Sequence, residues 1–328
     1  MARISSRYVA RRLIISLFTI YVLATLLFVL LQAMPGDIVN TLIGPGMTEQ
    51  QIQDLEERFG LNEPLWQQYV DFITSYLIFD FGYSLSELEP VSGLIWRRLV
   101  PTLILFVPAF ILQYAVGTIA GTYFGWNRGS KFDLAGFTGG LFMYSIPFFW
   151  LGWLLLGAFS FHFGWFPSGQ MTPAFASTLP WYEAVFQLLL HMAIPVTSLA
   201  LIGWAGPMLV MRTSMQDVVN ADYIDFARAQ GYPESTVMTK FGGRNALIPV
   251  ATQAIIGIAF LIDGSVIVET VFSWPGIGKL LVDSILNRDL PTALAAFYML
   301  GVLIITLRFV TDIVYTFLDP RINFGGDA

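Results

Sequence analysis

Long uncharged runs dominate the pattern of hydrophobic and polar positions along this chain. The first, 13–33, has 21 residues without a charged side chain, and as an α-helix it would be about 31 Å long, enough to cross a hydrocarbon core of ~30 Å. Transmembrane β-strands would show short segments of alternating hydrophobicity instead. The pattern therefore predicts an all-α polytopic membrane protein with six transmembrane helices, at 13–33, 99–126, 136–161, 188–211, 247–268 and 293–318.

The composition supports a membrane protein and excludes several other classes. Of the 328 residues, 55% are hydrophobic and 12% are charged, against about 25% charged in soluble globular domains. Disordered chains, disulfide-dense secreted domains and ordinary cytosolic enzymes do not have this composition. The chain has no cysteine, and its net charge of −6 is not that of a polybasic surface for nucleic acid.

The first run could also belong to a signal peptide, because four arginines precede it. The apolar region of a signal peptide has about 7–15 residues and ends in a small-x-small cleavage site. Here the run is longer and ends in Gln-Ala-Met-Pro at 32–35. We therefore expect a retained transmembrane helix.

The distribution of basic residues predicts the orientation in the membrane. With residues 1–12 in the cytoplasm, the cytoplasmic segments contain eleven Lys and Arg residues and the external segments five, while Arg308 lies within a span. This bias follows the positive-inside rule. Residues 1–12, 212–246 and 319–328 are then cytoplasmic, and 34–98 and 269–292 are external.

The external segment 34–98 is predicted to be a small helical subdomain. Within 64–79, apolar residues recur at 65/66, 69, 72/73 and 76, the spacing of an amphipathic helix. The stretch has only 16 residues and includes Gln67, Gln68 and Asp71. We therefore interpret it as a helix on the membrane surface rather than a seventh span.

Three glycines in the second span are spaced for close helix packing. Gly117, Gly121 and Gly125 recur every four residues, a small-xxx-small pattern that lets two helix backbones approach each other. Packing is the main interpretation, and a hinge is the alternative.

Sequence signatures of catalysis are missing. The only Gly-Lys pair, Gly278-Lys279, is followed by Leu280 and does not fit a phosphate-binding loop. The two histidines, His162 and His191, have no metal-ligand spacing. We predict no catalytic residue, no metal site and no cofactor in this chain.

Two charged residues fall within predicted spans, where ionisable groups are functional candidates by default. Asp263 lies near the external end of the fifth span, and Arg308 lies deep in the sixth. Either could line a polar pathway. A structural role is the alternative, since Arg308 could pair with Asp312 one helical turn away.

The cytoplasmic loop 212–246 has a helical pattern of its own. Residues Asp222–Ala229 predict a short helix that Gly231 ends, and Pro233 with Glu234 fits the first turn of another. A helix, a glycine and a second helix facing the cytosol suggest a docking surface. An amphipathic linker would give the same pattern.

This loop resembles a known family. The segment 225–231, Asp-Phe-Ala-Arg-Ala-Gln-Gly, resembles the EAA loop of ABC-importer permeases, with Asp225 in place of the Glu and Phe226 in place of the first Ala. The long spacing from Gly231 to Pro249 resembles the oligopeptide/dipeptide branch. Further segments resemble that branch at 34–37, 59–65, 269–278, 288–291 and 319–321.

The resemblance implies the fold of a type I ABC importer permease and the B-type subunit of a peptide/nickel importer in the cell membrane. Its partners would be a second homologous permease, two ABC ATPase subunits that bind ATP and Mg²⁺, and an extracytoplasmic substrate-binding protein. The ATPase-coupling residues implied are Ala221, Asp222, Tyr223, Asp225, Ala227, Arg228, Ala229, Gly231, Arg244 and Asn245. The binding protein would contact Trp274, Pro275 and Gly276.

At the positions of Asp263 and Arg308 the resemblance leads us to expect small or uncharged residues. The resemblance leaves the substrate open between peptides, nickel chelates and oligosaccharides. A secondary transporter or channel that works without ATPase subunits is the alternative function. A membrane scaffold with no transport activity is a third class.

Overall fold

The computed structural model describes residues 6–33, 63–173, 175–258 and 265–318, and the regular elements in these ranges are helices. This confirms the all-α fold class. A 3₁₀ turn covers Ala176–Thr178, and π-helical segments extend α5 over Leu156–His162 and α9 over Val237–Gly243. The α-helices are α1 (Ser6–Ala33), α2 (Leu65–Leu77), α3 (Val91–Trp126), α4 (Lys131–Ser145), α5 (Phe148–Leu155), α6 (Trp181–Gly203), α7 (Ala205–Val218), α8 (Asp222–Ala229), α9 (Glu234–Thr236), α10 (Arg244–Ile258), α11 (Ser265–Val271), α12 (Ile277–Leu286) and α13 (Leu290–Leu318).

Four helical stretches are long and apolar enough to cross a membrane: Arg7–Ala33, Val91–Trp126, Trp181–Val218 and Leu290–Val314. The pair α4 and α5 makes a fifth if it is counted as one span. The predicted span 247–268 includes residues outside the described ranges. The count of six therefore stays a prediction.

The predicted span 136–161 is not one straight helix. It is divided between α4 and α5, which are bent by 100° relative to each other. Pro147 has no backbone N–H, and its ring disfavours the helical conformation at the preceding residue. Ile146 is accordingly extended, with φ −80° and ψ 129°.

The glycine stripe of α3 packs directly on the backbone of α7. A Cβ atom at Gly117 would lie 2.4 Å from the carbonyl oxygen of Trp204, and one at Gly121 would lie 2.5 Å from that of Met208. At Gly125 the nearest atom would be the Cβ of Met215, at 2.5 Å. The packing interpretation is confirmed, because no larger residue fits at these positions.

Ion pairs tie other helices to this unit and to each other. The guanidinium of Arg212 on α7 donates to both carboxylate oxygens of Asp133 on α4, at 2.6 and 2.9 Å, and lies 4.8 Å from the ring centre of Phe137. Asp133 is buried. At another place, Arg12 of α1 pairs with Asp312 of α13 at 3.1 Å.

Helix α2 confirms the amphipathic helix predicted within 64–79. Its inner face buries Ile73 and Tyr76, and the Tyr69 hydroxyl makes hydrogen bonds with those of Tyr21 (2.6 Å) and Thr25 (2.9 Å) on α1. Trp66 is exposed. Helix α2 therefore packs along the side of α1 and leaves an apolar side chain on its outer face.

The α3–α7 contact predicts opposite effects for two glycine-to-alanine changes. Gly121→Ala introduces a methyl group where the backbone of α7 lies, and we expect a loss of about 1–3 kcal/mol in the free energy of unfolding. The matched control is Gly139→Ala in α4, where a Cβ would meet nothing within 4 Å. It should gain up to ~1 kcal/mol from helix propensity.

Thermal unfolding of the two variants in the same detergent measures this difference. Equal melting temperatures would contradict the close packing of α3 on α7.

Candidate functional site

The predicted short helix of the 212–246 loop is present with the predicted bounds. Helix α8 covers Asp222–Ala229, and α9 starts at Glu234 after Pro233. Ala221, half-buried and extended, precedes the first turn. We call residues 221–237 the elbow.

Gly231 ends α8 through its backbone conformation. Its φ angle is +80°, a region that L-residues with a Cβ rarely adopt. The Gly231 N–H donates to the carbonyl of Arg228 at 2.9 Å, and the Tyr232 N–H donates to that of Ala227 at 3.4 Å. This pair of bonds is a Schellman motif. A Cβ at Gly231 would meet nothing within 4 Å, so glycine is required here by the turn and not by crowding.

One face of the elbow is buried on the end of α3. Ile224 and Ala227 of α8 pack against Val237, and all three side chains are buried. Trp126, the last residue of α3, packs on the same cluster. The elbow therefore packs against the end of α3.

Arg228 links the two arms of the elbow. Its guanidinium donates to Asp225 on α8 at 3.1 Å and to Glu234 on α9 at 3.0 Å. It also lies 5.3 Å from the ring centre of Trp126. These contacts hold the angle between α8 and α9 and tie it to α3.

The opposite face of the elbow is exposed and aromatic. Phe226 is 63% exposed, and Tyr223 and Tyr232 are exposed as well. Asp222, Asp225 and Ala229 share the exposed side of the helix. Aromatic side chains are enriched in protein–protein interfaces, so this face of the elbow is a candidate docking surface.

Sequence reasoning missed two residues of this site. Phe226 was noted only as a departure from a motif, although its spacing of three from Tyr223 puts both rings on neighbouring faces of α8. Trp126 lies at the end of a predicted span, and no local signal connects it with Arg228.

The remaining predicted coupling residues lie just beyond the elbow. Arg244 and Asn245 are exposed at the start of α10. The Asn245 amide donates to the carbonyl of Phe241 at 3.2 Å. Both residues are on the surface of the same part of the chain, but they are not part of the contact network of Arg228.

The turn at 274–276 is largely inside the chain. Trp274 is fully buried, and its indole N–H donates to the carbonyl of Pro101 at 2.8 Å. Gly276 is buried and Pro275 half-buried. The burial of Trp274 and Gly276 does not agree with the prediction that a binding protein contacts them. The indole of Trp274 points to α3 instead.

The two charged residues in predicted spans are not brought together as a site. Arg308 is exposed on α13, and Asp263 lies outside the described residues. The ion pair that the structure gives Asp312 is with Arg12 of α1. Within the described ranges, no three His, Asp or Glu side chains are grouped as metal ligands would be.

Comparisons with known proteins agree over almost the whole chain. A family described as the binding-protein-dependent transport system inner membrane component matches residues 113–324, and its N-terminal counterpart matches residues 5–106. The oligopeptide transport system permease protein AppB of Bacillus subtilis is 36% identical over 319 residues, which cover 97% of this chain and 99% of that protein. A probable peptide ABC transporter permease of Sinorhizobium fredii is 33% identical, with the same coverage of 97% and 99%.

The Arg228 contacts predict a local effect of Arg228→Gln. The change removes both ion pairs and the contact with Trp126, and we expect faster backbone hydrogen exchange in α8 with a global loss of only about 1 kcal/mol, because exposed pairs are weak. The difference should shrink when NaCl is raised from about 0.05 to 0.5 M, since salt screens these pairs.

The control is Lys240→Gln, an exposed lysine on the π-helical segment with no ion pair among the described residues. Unchanged exchange in α8 of the Arg228 variant would show that the elbow is held by apolar packing alone.

Proposed function

This chain belongs to the family of binding-protein-dependent transport system inner membrane components, and we propose that it forms half of the translocation pathway of an ATP-driven ABC importer. A second homologous permease would form the other half. Relatives named as peptide or oligopeptide permeases support a peptide or a related small solute as the substrate. An extracytoplasmic binding protein would deliver that substrate.

The elbow is the observation that carries this proposal. Its two short helices, α8 and α9, are held on α3 by apolar packing and by Arg228. The side chains of Tyr223, Phe226 and Tyr232 are exposed. A partner that moves this surface moves α3 with it. We propose that the partner is one of two ABC ATPase subunits, and that ATP and Mg²⁺ bind there and not to this chain.

Transport would follow from a rigid-body change rather than from chemistry in the membrane. ATP binding would draw the two ATPase subunits together and carry the elbows of both permeases with them. The elbow is fixed to α3, and α3 packs on α7 through glycines. A displacement of the elbow would therefore move α3 and α7 together as rigid bodies. In this orientation the elbow and both ends of the chain are cytoplasmic, as the basic residues predict.

A secondary transporter or channel is the competing function. It would need a complete pathway in this chain and would work without ATPase subunits. The exposed aromatic face of the elbow would then have no partner to cover it.

Affinity purification of the full chain from its native host in a mild detergent tests the assembly. Recovery of two ATPase subunits and a second permease is the expected result. Recovery of this chain alone, active in transport after reconstitution, would favour the secondary transporter.

Substitution of Gly231 tests the coupling role. Gly231→Asp puts a charge and a strained backbone at the end of α8. We expect normal membrane insertion and continued ATP hydrolysis, with uptake of a radiolabelled peptide mixture reduced about tenfold, a coupling loss of about 1.4 kcal/mol.

Two alanine variants separate backbone strain from function. Gly231→Ala and Gly129→Ala both place a Cβ at a positive φ, +80° and +79°, with nothing within 4 Å. Each should cost about 1–2 kcal/mol in stability, but only the change at Gly231 should lower uptake per ATP hydrolysed. Full uptake by the Gly231→Asp variant would refute the assignment.

A further inference from the structure

A buried carboxyl group lies beside the N-terminal half of α3, away from the elbow. The Glu269 side chain on α11 has no exposed surface. Its Oε1 accepts a hydrogen bond from the Thr102 hydroxyl at 2.8 Å, and its Oε2 accepts one from the Lys279 N–H at 3.0 Å. Glu269 therefore connects α3 with the first turn of α12.

These bonds satisfy the free N–H groups at the start of α12. The first residue of that helix, Ile277, donates its N–H to the Thr102 hydroxyl oxygen at 3.0 Å, and the Lys279 N–H donates to Glu269. Gly276, which precedes the helix, supplies no side-chain cap. The cap of α12 thus comes from residues distant in sequence, on α3 and α11, and α12 stays capped only while it is seated on them.

Two glycines leave room for the carboxylate. A Cβ at Gly276 would lie 2.2 Å from the carboxyl carbon of Glu269, and one at Gly278 would lie 2.6 Å from the Cα of Val266. The buried indole of Trp274 adds a bond to Pro101, next to Thr102. We call Thr102, Glu269, Trp274 and the first turn of α12 the Glu269 seat.

We infer that Glu269 is a positioning residue, which fixes α12 and the 269–279 turn to α3 so that they move as one body with the helix that carries the elbow at its other end. In helix α3, Thr102 is the twelfth of 36 residues and Trp126 is the last, so about 36 Å at 1.5 Å per residue separates them along the helix. This inference rests on the proposed function, because it assumes that the ATPase subunits displace the elbow. The displacement would then reach α12 and the 269–279 turn through α3.

Burial raises the pKa of Glu269 to about 7. The hydrogen bonds from Thr102 and Lys279 and the charge of Arg98 on α3 oppose that rise. On α12, Lys279 and Asp283 pair with each other at 2.9 Å, and the α5 segment that packs on α11 has no titratable side chain.

Asp289 is a contrasting carboxylate nearby in sequence. Its burial favours a higher pKa, but hydrogen bonds from Ser84, Ser86 and Thr292 outweigh it and lower the pKa below the usual range. Asp289 is therefore ionised throughout the neutral range and does not account for a change near pH 7.

The raised pKa of Glu269 fixes the sign of a pH effect on the seat. In the closed seat Glu269 holds a proton up to about pH 7, and its O–H then donates to the Thr102 hydroxyl, whose own proton turns to the carbonyl of Arg98 at 3.2 Å. An opened, hydrated Glu269 would lose the proton near its ordinary pKa of 4.5. Opening then releases a proton between these values. Opening should become up to tenfold more favourable per pH unit as the pH rises from about 5 to 7, and should level off above 7.

Thiol labelling measures opening directly, because the chain contains no cysteine. Ser284 on α12 is 4% exposed, and Ser284→Cys is a nearly isosteric reporter. In the purified full chain, Thr102→Val should raise the labelling rate about tenfold, since it leaves the Ile277 N–H and one carboxylate oxygen buried without partners. Thr102→Ser keeps the hydroxyl and should restore slow labelling.

The matched control is Thr122→Val on the same helix, where the lost hydroxyl bonds only to the carbonyl of Thr118. Thr102→Val labelling no faster than Thr122→Val would overturn the seat. The pH arm uses Glu269→Gln, whose amide can donate to Thr102 and accept from α12. After correction for the reagent's own pH dependence, the pH effect should vanish in this variant, and its persistence would overturn the role of Glu269.

A second readout separates the seat from the proposed function. In the assembled complex, Thr102→Val should lower the uptake of a radiolabelled peptide mixture per ATP hydrolysed, and Thr102→Ser should restore it. Fast labelling with unchanged uptake per ATP would overturn the transmission role while leaving the seat in place. Failure to recover any ATPase subunit would overturn the proposed function, and the labelling results would still decide the seat.

Discussion

The direct contact between the backbones of α3 and α7 is the constraint on which the rest of the structure depends. Helices in hydrocarbon gain little from hydrophobic association, because lipid tails are as apolar as their side chains, so they associate through close packing and interhelical polar bonds. Gly117, Gly121 and Gly125 provide that packing over two turns. The Asp133–Arg212 pair then adds α4 to the same unit.

Both functional regions of the chain are extensions of this unit. The elbow rests on Trp126, the last residue of α3, and α12 receives part of its cap from Thr102, the twelfth residue of the same helix. The elbow has only a small apolar cluster of its own and depends on a few contacts with α3, whereas α12 also buries Ile277 and Leu280 in the cluster that it shares with α13. Helix α3 therefore packs on α7 through the glycines of its C-terminal third, contacts the elbow through Trp126 and contacts α12 through Thr102.

Local signals in the sequence predicted local structure well. Helix α8 was predicted with its bounds because a glycine at positive φ and a following proline leave little choice about where the helix ends. The bend at Pro147 was not predicted, because summed hydropathy over 136–161 does not register the loss of one backbone N–H. The indole of buried Trp274 donates to Pro101, which is 173 residues away in the sequence. The elbow packs on Trp126, which is also distant from it in the sequence. Such long-range partners leave no trace in local periodicity.

The pairing of α1 with α13 has a consequence for biogenesis. Ala24 and Leu27 of α1 are buried in one cluster with Ala295 and Tyr298 of α13. Arg12 of α1 forms an ion pair with Asp312 of α13. Because α1 precedes α13 in the chain, the face of α1 that packs on α13 stays uncovered during synthesis until α13 has been made. The contact between α1 and α13 therefore forms only after the helices between them have been synthesised.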